Sequence, residues 1–156
     1  LGKEAVRALA ERGIVVDVSH LNDAGFRDVL EAAQNPFAAS HSNARAICAH
    51  RRNLEDWQIR EMVMRNCIIG LNYYSPFLHS DRKNADFDDL YRHICHFLEL
   101  GAENCLALGS DFDGADLPPC LDDCRKVPVL GEYLLDRGLS HSLVEKLFWK
   151  NALDFA

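Results

Sequence analysis

The chain has 156 residues, of which 48% are hydrophobic, and its formal net charge at pH 7 is −7. This length and apolar content suit a single globular unit with a buried core. The acidic balance and the lack of a basic cluster beyond Arg51 and Arg52 argue against a nucleic-acid partner, and no apolar run approaches the roughly 20 residues of a membrane span, so we expect small-molecule chemistry.

The first half of the chain alternates helical and strand patterns. Residues 2–12 carry an apolar face followed by a glycine, which predicts a helix. The β-branched run Ile14–Val18 predicts a strand that leads to His20, and a helix follows it. Phe37–Ser40 predicts a second strand, which leads to His41 in the same way.

The second half repeats this alternation. Asn53 is predicted to cap a helix that runs to about residue 66, because Asn is a favoured N-cap residue. Two further strands, a helix between them and two closing helices are then predicted: a strand at 67–74, a polar loop at 75–86, a helix from Phe87 to Leu98, a strand at 106–108, a long loop at 115–128, and helices at 129–136 and 143–155.

Four strand-helix units with short turns imply right-handed crossovers and a parallel sheet. Either a doubly wound sheet or part of a (β/α)8 barrel would satisfy this order. Polar residues follow several consecutive strands, which favours the barrel, because an open sheet concentrates its chemistry at one switch point. A whole barrel typically needs some 250 residues, so the predicted fold class is α/β, with four units forming about half of a TIM barrel.

Four of the six cysteines are predicted to be reduced thiols of the core. They lie within apolar patterns, where a thiol behaves as a small hydrophobe: Cys48, Cys67, Cys95 and Cys105. Cys120 and Cys124 flank an acidic pair in a loop, and this spacing could suit a metal, but no second pair accompanies them. We expect a cytoplasmic protein.

Two histidines at neighbouring strand ends indicate a metal site. His20 and His41 would share one rim, where neutral imidazole nitrogens can bind zinc. Asp111, at the end of the last strand, would face them as a ligand or as a general base. A catalytic zinc normally has three protein ligands, so a further ligand is missing. Asp17 is expected to support the site or to pack, not to bind the metal.

Other polar residues near the rim have two readings. Arg51 or Arg52 could hold a substrate carboxylate in a bidentate contact, or could be solvated charges. Asp113 is expected to hold the loop after the last strand, while His93 and His96 are expected on the outer face or the core edge of their helix.

Several short motifs together resemble the membrane (renal) dipeptidase family, a branch of the metal-dependent amidohydrolase barrels. They occur in order along almost the whole chain: Asp17-Val18-Ser19-His20, Ser40-His41-Ser42-Asn43-Ala44, Arg51-Arg52-Asn53-Leu54, Gly70-Leu71-Asn72-Tyr73-Tyr74 with Pro76-Phe77-Leu78, Gly109-Ser110-Asp111-Phe112-Asp113-Gly114, and Asn151-Ala152-Leu153.

The resemblance implies a (β/α)8 barrel with two zinc ions that hydrolyses dipeptides, of which this chain matches strands five to eight. His20 and His41 look like the histidine ligands of the second zinc. Arg52 looks like the residue that binds the terminal carboxylate of the dipeptide, and Asp111 like the catalytic acid/base. Family members often tolerate a D-residue at the C-terminal position of the dipeptide, and some open β-lactams.

The family's remaining site residues have no counterpart in this sequence. They are a His-x-Asp pair on the first strand, a bridging glutamate and a further histidine that contacts the substrate. We therefore expect residues 1–156 to form one unit, a partial hydrolase barrel that lacks its first half, holds at most one incomplete zinc site and has little activity alone. The alternatives are a non-catalytic half-barrel that pairs with itself or with another chain through its sheet edges, and a different amidohydrolase-type metal hydrolase.

Overall fold

Three parallel strands form the sheet of a computed structural model that describes residues 1–81 and 85–156. The strands are β1 (Ala38–Ala39), β2 (Ile68–Asn72) and β3 (Leu106–Ser110), and they lie in the order β1-β2-β3. Helices separate the strands along the chain, so the predicted parallel α/β architecture is confirmed.

Eight α-helices accompany this sheet in the described residues. They are, in chain order, α1 (Gly2–Ala10), α2 (Asp23–Ala32), α3 (Asp56–Met64), α4 (Ser75–Leu78), α5 (Phe87–Glu99), α6 (Val127–Asp136), α7 (His141–Glu145) and α8 (Asn151–Phe155). Two 3-10 turns, Ala102–Asn104 and Cys124–Lys126, and one π-helical turn, Lys146–Lys150, complete the secondary structure. Over the same ranges, none of these helices has the length and apolar character needed to span a membrane.

The core lies where the helices pack on the central strand. Ile69 and Leu71 of β2 have no exposed surface, and the aromatic side chains of Phe26 and Phe37 meet edge to face with ring centroids 5.8 Å apart. Helix α5 adds an apolar stripe at helical spacing: Leu90, Ile94 and Phe97, all buried. The helix spacing in the sequence therefore marked the buried face correctly.

The predicted first strand is reduced to a bridged edge segment, which we define as residues 14–18. Only Asp17 pairs with Ala38, in an isolated parallel bridge, and two backbone hydrogen bonds of 2.8 and 2.9 Å link the segment to Ala38. Ile14 and Val15 are half exposed. Its strand neighbour β1 has only two residues, and β-branched residues favour a strand chiefly through packing against neighbours. The four predicted units are thus three strands and this edge segment.

Helix α3 begins two residues later than predicted. Glu55, not Asn53, is its N-cap residue, and the Asn53 side chain is buried. The Nδ2 atom of Asn53 donates to the carbonyls of Cys48 and Phe77, both at 2.9 Å. A buried amide must find hydrogen-bond partners, so tertiary contacts displace Asn53 from the capping role that its residue type favours.

The C-terminal helical region is interrupted instead of continuous. Ser140 caps α7 as predicted, accepting from Leu143 N at 3.2 Å, but the π-helical turn separates α7 from α8. At the start of α8, Asn151 Nδ2 donates to the carbonyls of Glu103 and Leu106 at 2.9 and 2.8 Å. In a π turn each hydrogen bond spans one residue more than in an α-helix. Here the π turn directly precedes Asn151, whose side chain binds the carbonyl of Leu106 in β3.

Two loop predictions also need correction. The segment 75–86, predicted as a polar loop, begins with helix α4, and its residues 82–84 lie outside the described residues. Helix α6 begins at Val127 instead of Val129, with Pro128 in its first turn. Proline is favoured there because its missing N–H has no partner in the first turn of a helix.

Candidate active site

The carboxyl ends of the strands open onto a cavity of about 520 Å³. Parallel strands place these ends on one rim, which is where barrel enzymes carry their sites. The predicted residues His20, Arg52 and Asp111 all line this cavity, and His41 contacts His20 beside it. The complete lining is His20, Arg52, Tyr74, Phe77, Asp111, Asp113, Gly114, Ala115 and Asp116.

The two histidines meet at their Nε2 atoms. His20 follows the edge segment and His41 follows β1, and their Nε2 atoms lie 2.9 Å apart, with ring centroids 5.0 Å apart. Burial lowers the pKa of His41 below its ordinary value, and the opposing carboxylates of Asp111 and Asp17 do not restore it. The His41 imidazole is therefore neutral at pH 7, which is the form that binds a metal.

Two glycines let the end of β1 lean across the sheet. The Ser40 carbonyl oxygen lies over Gly70 and Gly109, and a Cβ atom at either position would stand 1.9 or 2.0 Å from it. Ser42 N also donates to the Gly70 carbonyl at 2.7 Å. Because only glycine leaves this space, these two positions allow the approach that brings His41 over the strand ends.

The Arg52 side chain is held by a backbone carbonyl and reaches His41. Its Nε donates to the Ser19 carbonyl at 2.9 Å, and its Nη2 lies 3.5 Å from His41 Nε2. The guanidinium also stands 5.5 Å from the centroid of the Phe77 ring. Burial lowers the pKa of Arg52, but a guanidinium stays charged. Arg51, the other predicted candidate, is exposed and does not line this cavity.

Asp111 occupies a strained turn directly after β3. Its φ is 68°, and Ser110 and Asp113 also have positive φ, a region that non-glycine residues seldom adopt. Asn72 Nδ2 donates to Asp111 Oδ2 at 3.0 Å, and Gly114 N donates to the Asp111 carbonyl at 3.2 Å. The Asp113 carboxylate makes no hydrogen bond within residues 1–81 and 85–156, so the structure does not support the expectation that Asp113 holds this loop.

Sequence reasoning missed a pair of buried asparagines, Asn43 and Asn72. Asn43 Nδ2 donates to the Asn72 carbonyl and Asn43 Oδ1 accepts from Asn72 N, both at 2.9 Å. Asn72 Oδ1 accepts from Tyr74 N at 2.6 Å, so its Nδ2 is left for Asp111. A signal was present, because Asn72 ends an apolar strand run as His20 and His41 do.

Asp17 ties the edge segment to the end of β1. Its Oδ1 accepts from Ser19 N at 2.9 Å, from Ser19 Oγ at 2.7 Å and from Ser40 N at 3.2 Å, and its Oδ2 accepts from Ser40 Oγ. Partial loss of contact with water would by itself raise the pKa of Asp17, but the hydrogen bonds from Ser40 and Ser19 outweigh this effect and hold the pKa below its ordinary value. Asp17 is therefore an ionised supporting residue.

His93 is buried inside the protein, whereas the sequence placed it on the outer face or at the core edge. Its Nδ1 accepts from Ala44 N at 3.1 Å, and its Nε2 lies 3.2 Å from the Leu78 carbonyl. Burial lowers the pKa of His93 to about 4. His96 instead pairs with Asp56 at 2.8 Å on the surface of α5, so neither histidine reaches the cavity.

The residues at the rim fit part of a zinc site. With Zn–N bonds of 2.0–2.1 Å, two nitrogens on a tetrahedral zinc lie about 3.3 Å apart, close to the 2.9 Å between His20 Nε2 and His41 Nε2. Across the described ranges, however, no three His, Cys, Asp or Glu residues group to hold a metal. Cys120 is half-buried, Cys124 is exposed, and both are free thiols. The histidine pair thus provides two donors of the right type.

Known proteins resemble almost the whole chain. A protein of Klebsiella pneumoniae, described as an uncharacterized protein in the pqqA 5′ region, is 36% identical over 155 residues, which are 97% of this chain and 57% of that protein. An uncharacterized dipeptidase of Schizosaccharomyces pombe is 31% identical over 154 residues, which are 97% of this chain and 38% of that protein. The chain therefore spans about half of these relatives or less.

A solved structure shows the same fold. A metallo peptidase from Rhodobacter sphaeroides, liganded with a phosphinate mimic of the dipeptide L-Ala-D-Ala, superposes with a TM-score of 0.95 at 32% identity. The match covers 99% of this chain and 45% of that chain. The predicted fold class is confirmed, since the chain matches part of the TIM-barrel-like fold of these dipeptidases.

The sequence also matches a family described as membrane dipeptidase (peptidase family M19) over residues 1–154. Members are metal-dependent peptidases. Because this match and the structural match both cover nearly the entire chain, the chain belongs to the membrane dipeptidase family.

Proposed function

We propose that this chain is part of a zinc-dependent dipeptidase, which hydrolyses dipeptides to free amino acids. The observation that carries the proposal is that His20, Arg52 and Asp111 line one cavity at the strand ends, with His41 in contact with His20 and Arg52 beside it. The dipeptide mimic in the Rhodobacter sphaeroides relative supports the substrate class, including a D-residue at the C-terminal position.

His20 and His41 are proposed to hold zinc through their Nε2 atoms. Bound zinc would act as a Lewis acid that polarises the scissile carbonyl. A complete family site holds two zinc ions, and this chain would supply at most one partial site, since its pair falls short of the three protein ligands of a catalytic zinc.

Arg52 is proposed to bind the terminal carboxylate of the dipeptide. Its Nε donates to the Ser19 carbonyl, so the Nη groups, of which Nη2 also lies 3.5 Å from His41 Nε2, would donate to the carboxylate. Tyr74 and Phe77 line the cavity beside it. A guanidinium fixed in this way suits a planar carboxylate better than a lysine ammonium would, because two parallel hydrogen bonds set the orientation of the substrate.

Asp111 is proposed to transfer the proton. Asn72 holds its Oδ2 at 3.0 Å, so Oδ1 is available to take a proton at the rim and to deliver it to the leaving amine. A positioned carboxylate of this kind typically contributes 10²- to 10⁴-fold to the rate.

We also propose that residues 1–156 form one unit whose site is completed by strands from elsewhere, either in the same polypeptide or in another chain. The chain spans 57%, 38% and 45% of the three proteins compared above, and the half-exposed Ile14 and Val15 line a bridged sheet edge. That edge also favours the second candidate, a non-catalytic half-barrel that self-associates, which would make the chain a homo-oligomer.

The family membership favours a dipeptidase over another amidohydrolase-type hydrolase. A cytoplasmic location remains our proposal, and the six free thiols support it, since thiols stay reduced in that compartment.

Dipeptide hydrolysis tests the proposal in two settings. The isolated chain with added zinc should not turn over L-Ala-D-Ala, and robust turnover would show that its site is complete. A chimera in which this chain replaces the matching part of the Rhodobacter sphaeroides enzyme should be active.

In this chimera, Asp111→Asn should lower kcat by 10²- to 10⁴-fold, and Arg52→Lys should mainly raise KM. Arg51→Lys is the matched control, because Arg51 is exposed and does not line the cavity that Arg52 shares with Asp111. Equal effects at Arg51 and Arg52 would contradict the proposed role of Arg52. Sedimentation over a range of concentrations tests self-association, and a monomer at every concentration would contradict the second candidate.

A further inference from the structure

The hydrogen bonds around Ser40 settle which nitrogen of His41 carries its proton. Ser40 Oγ lies close to three groups: the Asp17 carboxylate, His41 Nδ1 at 2.7 Å and, more distantly, Ser19 Oγ at 3.5 Å. A hydroxyl has a single proton to donate, while an ionised carboxylate can only accept. The Ser40 proton therefore belongs to Asp17, and Ser40 Oγ must accept a proton from His41 Nδ1.

Ser19 repeats this arrangement on the other side of Asp17. Its hydroxyl donates to Asp17 Oδ1 at 2.7 Å and accepts from the backbone N–H of His41 at 3.1 Å. Asp17 thus orients two hydroxyls so that both present lone pairs to His41. The low pKa of Asp17 noted above keeps its carboxylate ionised at neutral pH.

We propose that Asp17 and Ser40 are positioning residues that fix His41 as its Nδ1–H tautomer and leave the Nε2 lone pair free for a metal. A metal-ligating histidine usually donates its other N–H to a carboxylate, a carbonyl or water. Here a serine hydroxyl lies between the imidazole and the carboxylate. Because this hydroxyl donates its proton to the carboxylate, it accepts from the imidazole and so sets the tautomer.

Within the part of the chain that the structure describes, no serine hydroxyl contacts the His20 ring in this way. Its Nε2 lies 2.9 Å from His41 Nε2, and because the latter is an acceptor, His20 Nε2 donates the proton in the metal-free chain. Zinc binding must therefore change the tautomer of His20 but not that of His41. This difference between the two histidines rests on their proposed role as zinc ligands, whereas the tautomer of His41 without metal does not.

The charge of Asp17 makes the proposal testable with one isosteric change. Asp17 Oδ1 accepts three hydrogen bonds, so Asp17→Asn would keep its carbonyl oxygen there and place its NH₂ group at the Oδ2 position. That NH₂ would donate to Ser40 Oγ, which would then donate its proton to His41 Nδ1. The hydrogen bonds that join residue 17, Ser40 and His41, which we call the relay, would reverse their direction, and the imidazole proton would lie on Nε2.

The experiment is ¹⁵N NMR of the histidine side chains of this chain without metal, at a pH where His41 is neutral. The His41 signals are assigned as those that are lost in a His41→Gln variant. We expect a protonated Nδ1 and an unprotonated Nε2 in the wild type, the opposite in Asp17→Asn, and a mixture of both tautomers in Ser40→Ala.

Ser42→Ala is the matched control and should leave the tautomer unchanged. Ser42 follows His41 directly in the sequence, but its hydroxyl is buried and has no hydrogen-bond partner in the part of the chain that the structure describes. A backbone amide spectrum shows that each variant is folded. Unaltered His41 nitrogens in folded Asp17→Asn and Ser40→Ala, or a protonated Nε2 in the wild type, would overturn the proposal.

Zinc titration gives a second readout. Asp17→Asn and Ser40→Ala should each weaken zinc binding about 10- to 100-fold, the usual effect of losing a partner behind a ligand. If zinc does not bind the wild type while the tautomers behave as expected, the zinc role of the pair is wrong but the relay stands.

Discussion

The centre and the edge of the sheet differ in how neighbouring segments are joined at the strand ends. At the centre, Asn43 and Asn72 join two strand ends through hydrogen bonds that are buried completely. At the edge, Asp17 and Ser40 join two chain segments through hydrogen bonds that solvent reaches, since both residues are exposed. The central contact is fully covered by other residues of this chain, whereas the edge contact is open at a side of the sheet where a further strand could pack.

This difference divides the candidate site. Asp111 is held by Asn72, and thus belongs to the rigid centre. His20 and His41 belong to the edge, where the chain is bridged rather than paired along a strand. The residue proposed to transfer the proton is therefore held in place within this chain, whereas the residues proposed to bind zinc lie at the sheet edge.

The largest expected effect concerns the asparagine pair. Asn43→Ala removes the partners of both the N–H and the carbonyl of buried Asn72, and each orphaned group costs about 1–3 kcal/mol, so the free energy of unfolding should fall by about 2–6 kcal/mol. Ser40→Ala should lower it by about 1 kcal/mol or less, because water can replace the exposed hydroxyl. Urea unfolding measures both. Equal losses would remove the distinction between centre and edge.

A matched pair of isoleucines extends the test to packing. Ile69 of β2 has no exposed surface, whereas Ile14 in the edge segment is 50% exposed. Ile69→Ala should lower the free energy of unfolding by about 2–5 kcal/mol, and Ile14→Ala by about 1 kcal/mol or less. A large loss at Ile14 in urea unfolding would mean that the edge is covered in solution, for example by a second copy of the chain.

The third expected effect is a pH dependence that comes from His93 near the centre. Burial lowers its pKa to about 4, so between about pH 6.5 and 4 the unfolded chain binds a proton that the folded chain does not. The free energy of unfolding therefore falls as the pH is lowered through this range, by about 3 kcal/mol in all. Below about pH 4 both states are protonated and this contribution is constant.

His93→Gln isolates that contribution, since glutamine keeps an acceptor and a donor but does not titrate. The difference between the wild type and His93→Gln should vary with pH between 6.5 and 4, and contributions from other groups cancel in it. His141→Gln, at an exposed position, serves as the control and should parallel the wild type. A parallel curve for His93→Gln as well would show that His93 titrates normally.

Local patterns in the sequence predicted much of this molecule. The apolar stripe of α5 and the glycine after it located that helix within a residue, and polar residues after apolar runs located the rim. The same patterns could not locate the buried His93 or the capping shift from Asn53 to Glu55. In both cases the position of the side chain depends on hydrogen bonds with backbone groups of other segments. The spacing of residues along the sequence carries no information about these hydrogen bonds.

The sequence likewise could not show that residues 14–18 would lack regular strand structure. Ile14–Val18 has the β-branched composition of a strand, yet composition measures fitness for a pleated surface and not the presence of neighbours. Beside β1, which has only two residues, the segment forms a single bridge instead.

The sequence by itself determined the parallel α/β order of elements and the residue types that collect at the strand ends, because hydrophobic period and strand-end position are local properties. Only the tertiary structure decided that His20 and His41 meet at Nε2, that Asn72 holds Asp111, and that Ser40 stands between Asp17 and His41. Those contacts join segments more than 20 residues apart, and their geometry follows from the register of the strands and the close approach at Gly70 and Gly109, which exist only once the sheet has formed.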